Sequence, residues 1–150
     1  MDGHKNRDDK FWSIHSNSPA YHNWCGLAFE RICLLHSKQI KHALGIAGVS
    51  SAEYAWRSPA SNTASGAEID LLIDRSDQVI NVCEIKFHNG PFTISKQYDA
   101  SLQNKLNLFR ETTRTNKALL LTLITAYGLT DNPYAMSINN QITADALFAI

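Results

Sequence analysis

The chain has 150 residues, 44% of them hydrophobic and 19% charged, enough apolar chain for one compact domain and a composition that excludes wholesale disorder. Its 14 Lys and Arg match its 14 Asp and Glu, so no global positive field draws it onto nucleic acid or an anionic membrane. Polar and charged residues open the chain where a signal peptide needs an apolar core, and the longest apolar stretch, around residues 118–126, is far short of the roughly 20 residues of a membrane helix, so a cytoplasmic domain is expected.

Residues 1–20 read as a polar, irregular lead-in with a short Phe11-Trp12 anchor, ending in Ser16-Asn17-Ser18-Pro19. Over residues 21–44, Trp24, Leu27, Ala28, Cys33, Leu34, Leu35, Ile40 and Leu44 recur at helical spacing, and Gly45 and Gly48 follow as stop signals. One long helix with that stripe against the core is the expectation. Residues 53–57 look like a short strand, ended by Ser58-Pro59 and a small polar loop through Gly66. Residues 67–75 and 79–87 are runs rich in Ile, Val and Leu joined by Ser76-Asp77-Gln78, the pattern of a β-hairpin. After Asn89-Gly90-Pro91, residues 94–110 return to helical spacing with Ile94, Tyr98, Leu102, Leu106 and Phe109 on one face. Residues 117–126 form a near-continuous apolar run suited to a buried central strand, and Thr143 can cap a terminal turn carrying Leu147 and Phe148. The order helix, three strands, helix, strand predicts an α/β fold in which helices cover both faces of a mixed sheet. Without repeats or a linker, residues 1–150 form a single domain.

Charge is balanced overall but not locally. From Glu68 to Glu84 there are five acids (Glu68, Asp70, Asp74, Asp77, Glu84) and one base, Arg75. From Lys86 to Lys117 there are six bases (Lys86, Lys96, Lys105, Arg110, Arg114, Lys117) and two acids, Asp99 and Glu111. Such an arrangement suits a cation site beside an anion site, or simply two solvated faces.

The second hairpin strand carries the chemistry. Side chains alternate along a strand, so Ile80, Val82, Glu84 and Lys86 share one side. A dry core does not end in Glu and Lys unless they are paired. On the preceding strand Glu68, Asp70 and Leu72 are expected on one side and Ile69, Leu71 and Ile73 on the other. The hairpin brings Asp70 close to Glu84, and two opposed carboxylates repel unless a cation lies between them. A hard divalent ion such as Mg²⁺ would resolve that conflict. Glu30 sits among Gly26, Leu27, Cys33 and Leu34, an acid in a largely apolar stripe. It either aims at the same cation or is a partly exposed charge at the edge of the stripe. Lys105, beside Leu102, Leu106 and Phe109, either reaches the site or snorkels over that apolar face.

Other candidates are weaker. Cys25, Cys33 and Cys83 are an odd set without a CxxC pair, which fits a reducing compartment, and Cys25 and Cys33 with His36 make no recognised zinc arrangement. Trp12, Trp24 and Trp56 read as core or interface anchors.

Asp70 followed by Glu84-Ile85-Lys86 on the next strand, with an acid on the preceding helix, resembles the pattern of the PD-(D/E)XK nuclease superfamily, with Glu68-Ile69 where the name has a Pro. The resemblance implies an αβββαβ restriction-endonuclease-like core holding one or two Mg²⁺ ions, with Mn²⁺ as an alternative. Asp70 and Glu84 would be ligands, Glu30 would match the first-helix acid, and Lys86 would position the attacking water or stabilise the phosphoryl charge. Lys105 would contribute to substrate binding. Residues 67–75 (Ala-Glu-Ile-Asp-Leu-Leu-Ile-Asp-Arg) with Cys83-Glu-Ile-Lys-Phe87 are similar to the C-terminal nuclease-like domain of certain bacterial AAA-type ATPases. That similarity runs from about residue 12 to 148. It implies Mg²⁺-dependent hydrolysis of DNA, an ATPase module in the same polypeptide or complex as partner, and a lead-in left over from a winged-helix or ATPase region. Gly45-Ile-Ala-Gly48 lacks the Lys of a phosphate-binding loop, so this chain is not itself the ATPase. The alternative is a catalytically inactive nuclease-like module that docks to DNA or protein. A pure oligomerisation domain is a third reading, against which the intact carboxylate set argues.

Overall fold

The computed structural model describes residues 18–60 and 66–148; the expected lead-in with its Phe11-Trp12 anchor, and most of the polar loop before Gly66, lie outside them. Ser18 caps the first helix, α1 (Pro19–Leu35), by accepting a hydrogen bond from the Tyr21 backbone N–H at 3.1 Å, with Pro19 entering the first turn where no N–H is needed. The expected single helix is in fact two. At His36 (φ −114°, ψ 36°) the chain turns, and α2 (Ser37–Ala43) follows, ending before Gly45, whose φ of +73° requires the left-handed region that glycine adopts freely.

Among the described residues, five strands form one sheet in the order β1-β2-β3-β4-β5. They are β1 (Ser51–Ser58), β2 (Ala67–Arg75), β3 (Val79–Lys86), β4 (Ala118–Thr125) and β5 (Asn140–Thr143). The first three are antiparallel neighbours, while β3, β4 and β5 run parallel. A parallel step needs a crossover, which α3 (Lys96–Thr113) supplies between β3 and β4. A 3₁₀ turn (Ala135–Ser137) precedes β5, and the short α4 (Ala144–Leu147) closes the described chain. The expected α/β order is present, with β5 added at the far edge.

Two apolar layers sandwich the sheet. On the α1, α2 and α4 side, Phe29, Cys33, Ile40 and Leu147 pack on Leu71, Ile73, Cys83 and Ile124. On the α3 side, Leu102 and Phe109 pack on Ile69, Leu72, Val82 and Leu123, and the Trp56 ring meets Phe109 edge-on at 5.3 Å. The first-helix stripe is corrected. Phe29 and Cys33 are the buried residues of α1, whereas Trp24, Leu27, Leu34 and Leu35 are exposed, Leu35 by 76%. The helix is apolar on two sides and only one of them meets the sheet.

A second correction concerns β2. Tyr54 pairs with Leu72 but Trp56 pairs with Ile69, so Asp70 and Leu71 together oppose only Ala55. This is a β-bulge, and it shifts the alternation by one. Ile69 therefore joins Leu72 on the α3 side rather than sharing the other face with Leu71 and Ile73. Among the described residues, no helix is long and apolar enough to cross a membrane.

Candidate active site

The bulge lies where β2 and β3 part. Their ladder runs from Asp74–Ile80 to Leu71–Cys83, and at the next step Asp70 meets the level of Glu84. Instead of a backbone partner there, the Ile85 N–H donates to Asp70 Oδ2 at 3.1 Å. A side chain thus satisfies a strand donor, and the Asp70 carboxylate is fixed at the mouth of the cleft between the strands.

Glu84 follows Val82 on the α3 side of β3 and is buried, with 4% of its surface exposed. A buried carboxylate is costly unless compensated. Lys105 provides compensation: its Nζ donates to Glu84 Oε1 at 3.0 Å, spanning from the middle of α3 to the sheet. Of the two sequence readings for Lys105, the one that reaches the site describes the structure. Burial nevertheless dominates and pushes the Glu84 carboxyl up to about 7. The Lys105 charge works against that rise, while the neighbouring Asp70 carboxylate adds to it. The two acids are therefore adjacent, and near neutrality a proton relieves their repulsion.

Lys86, two residues on, is exposed, with its Nζ over the rings of Tyr98 (5.3 Å) and Phe92 (5.9 Å). Glu30 is half-buried on α1, and its carboxyl is raised first by burial and then by the charges of Asp70 and Glu68. The expected meeting of Glu30, Asp70 and Glu84 at one point is not formed. Glu30 approaches from the α1 side and Glu84 from the α3 side, so only Asp70, at the bulge, adjoins both. Among the described residues, no group of three or more His, Cys, Asp and Glu side chains is arranged to hold a metal ion.

The pair itself fits a hard cation. Both are oxygen-only ligands, Glu84 stands where burial disfavours its charge, and Mg²⁺ is commonly held by one or two carboxylates with water and phosphate completing its shell. Cysteine chemistry does not compete: the Cys33 thiol is pushed up to about 12 by burial, and burial raises Cys83 as well.

The sequence missed Tyr98 as part of the site, placing it only on the apolar face of α3. The signal available was its position one turn into a helix that follows Lys86 closely, with Phe92 between.

No protein-family model matches the chain, and no curated protein matches it. Among solved structures it is similar to the crystal structure of AF1548, a protein of unknown function, at 14% identity and a TM-score of 0.48, over 76% of this chain. The chain spans 64% of the length of that protein.

Proposed function

We propose that the chain is a PD-(D/E)XK-type nuclease domain that hydrolyses phosphodiester bonds in DNA with Mg²⁺, or Mn²⁺ in its place, working in the cytoplasm and joined to an ATPase module in the same polypeptide or complex. The observation that carries this reading is the placement of Asp70 and Glu84 at the parting of β2 and β3, Asp70 held by the Ile85 N–H and Glu84 by Lys105, with Lys86 on the same strand. Asp70 and Glu84 would hold the ion, which when bound supplies an activated water and neutralises charge on the phosphoryl oxygens. Asp70 is held in place by the Ile85 N–H. Lys105 offsets the Glu84 charge and works against the rise that burial gives its carboxyl. Lys86 brings a compact positive charge to the strand end, suited to a developing oxyanion or a substrate phosphate. Three free cysteines agree with a reducing compartment.

The expected result is Mg²⁺-dependent nicking of supercoiled plasmid that falls by about 100-fold or more in Glu84→Gln and in Lys86→Ala. Equal cleavage by both variants and wild type would overturn the reading. One feature favours the inactive-module alternative: Lys105 and a proton already satisfy Glu84, and no third acid among the described residues joins the pair. Under that alternative wild type neither nicks DNA nor takes up Mn²⁺ in calorimetry.

A further inference from the structure

Lys86 is the one member of the candidate site whose charge is not met by a carboxylate: none of the ion pairs among the described residues includes it. Its ammonium lies instead over two aromatic rings, 5.3 Å from the centroid of Tyr98 and 5.9 Å from that of Phe92. The rings brace each other edge to face, 5.2 Å apart at 84°. Each is anchored from a different direction. The Tyr98 N–H donates to the Ser95 side chain at the start of α3. Phe92 exchanges backbone hydrogen bonds with the segment after β4, its N–H donating to Gly128 O and its carbonyl accepting from Thr130 N, both at 2.9 Å. The shelf beneath Lys86 is thus tied to two separate elements rather than carried on a loose loop.

Tyr98 also feels the charge of the acids. Its hydroxyl pKa is raised by burial first, and then by the negative charges of Glu84 and Asp70. The same half-buried ring thus lies 5.3 Å from the ammonium and within the field of the two carboxylates. A lysine on a flexible four-carbon stem, two residues from a buried acid, would otherwise collapse onto the carboxylates or swing into water. The quadrupole of an aromatic face offers it a third place, attractive to a cation but neutral in charge.

We infer that Tyr98, braced by Phe92, is a positioning residue that holds the Lys86 ammonium beside the Asp70–Glu84 pair without letting it pair with either acid, leaving its charge available to a substrate phosphate. The consequence for activity rests on the nuclease reading; the positioning itself does not.

The test compares Tyr98→Leu, Tyr98→Phe and Phe92→Leu with wild type. Acylation of Lys86 by a water-soluble succinimidyl ester, followed by peptide mass mapping, should be at least about threefold faster in Tyr98→Leu and return to the wild-type rate in Tyr98→Phe. The ring-current shift of the Lys86 ε-methylene proton signals should be lost in Tyr98→Leu and kept in Tyr98→Phe. On plasmid substrate, Tyr98→Leu should lose about tenfold in kcat with KM within twofold, and Tyr98→Phe should rescue it. Unchanged Lys86 reactivity and unchanged proton shifts in folded Tyr98→Leu would overturn the inference. If Tyr98→Leu does not fold, Phe92→Leu, which removes the brace and the farther of the two rings under Lys86, decides in the same way with a smaller expected change. A wild type that cuts no DNA while its Lys86 signals respond as stated would defeat the nuclease reading and leave the shelf standing.

Discussion

Glu84 is where burial and charge conflict most directly. Its carboxyl titrates at about 7 in the fold, against an ordinary value of 4.5, chiefly because burial disfavours the anion. Between those two values the folded chain holds more protons than the unfolded one, so this residue lowers stability as pH rises from about 4.5 to 7 and changes nothing further above 7. The integrated effect is at most about 3 kcal/mol. Glu84→Gln removes the titration. The difference in urea unfolding free energy between wild type and variant, which cancels groups that titrate alike in both, should therefore move against wild type from pH 5 to pH 8. A difference independent of pH would show that Glu84 ionises in the fold as it does in water. At this scale the sequence placed Glu84 and Lys86 on one face and Asp70 nearby, because strand alternation is local information. It left Lys105 undecided, since 21 residues separate it from Glu84 and only the docking of α3 brings them together.

At the scale of elements, the hairpin, α3 and β4 were legible because long apolar runs and helical spacing mark them directly. Three features were not. The break at His36 has no proline or glycine to announce it; there the His36 Nδ1 lies 2.7 Å from the Ile32 carbonyl oxygen. The four-residue β5 is too short and polar (Asn140-Gln141-Ile142-Thr143) to show a period, and it depends on β4 and on Asn81, whose amide donates to Thr122 Oγ1 at 3.1 Å and reaches Asn140 Oδ1 at 3.5 Å. The bulge at Asp70 and Leu71 is a property of pairing with β1, which no reading of β2 alone supplies. The bulge has a measurable consequence. Asp70→Ala should leave the Ile85 N–H without its acceptor and cost about 1–3 kcal/mol. Asp70→Asn keeps an oxygen acceptor at the same place and should lose clearly less, while both remove the charge. Amide exchange at Ile85 should accelerate in the alanine variant relative to the asparagine one; equal exchange in both would mean the ladder closes over the gap without the side chain.

Across the whole molecule, the two charge blocks seen in the sequence turn out to be partners. Lys105 pairs with Glu84, and Lys117 spans to Asp74 at 2.6 Å and to the Arg75 carbonyl at 2.8 Å. The fold thus uses part of its basic block to offset its acidic one, which leaves a short list of cations for a nucleic acid and agrees with the net charge of zero. It also sets the strength expected of a metal site. With two carboxylates and one of them already bound to a lysine, affinity for Mg²⁺ should be modest, in the millimolar range rather than the micromolar. A ligand that binds only the folded chain stabilises it by RT ln(1 + [L]/Kd), so 10 mM Mg²⁺ against a Kd of about 1 mM gives about 1.4 kcal/mol, a rise in Tm of about 3–6 °C for a domain of this size. Glu84→Gln should abolish the rise, whereas Glu30→Gln should leave most of it, because Glu30 approaches from the other face of the sheet. A Mg²⁺ response lost in Glu30→Gln and kept in Glu84→Gln would move the ion to the α1 side of Asp70 and away from Lys86. Equal Mg²⁺ and K⁺ responses at matched ionic strength would reduce the effect to charge screening.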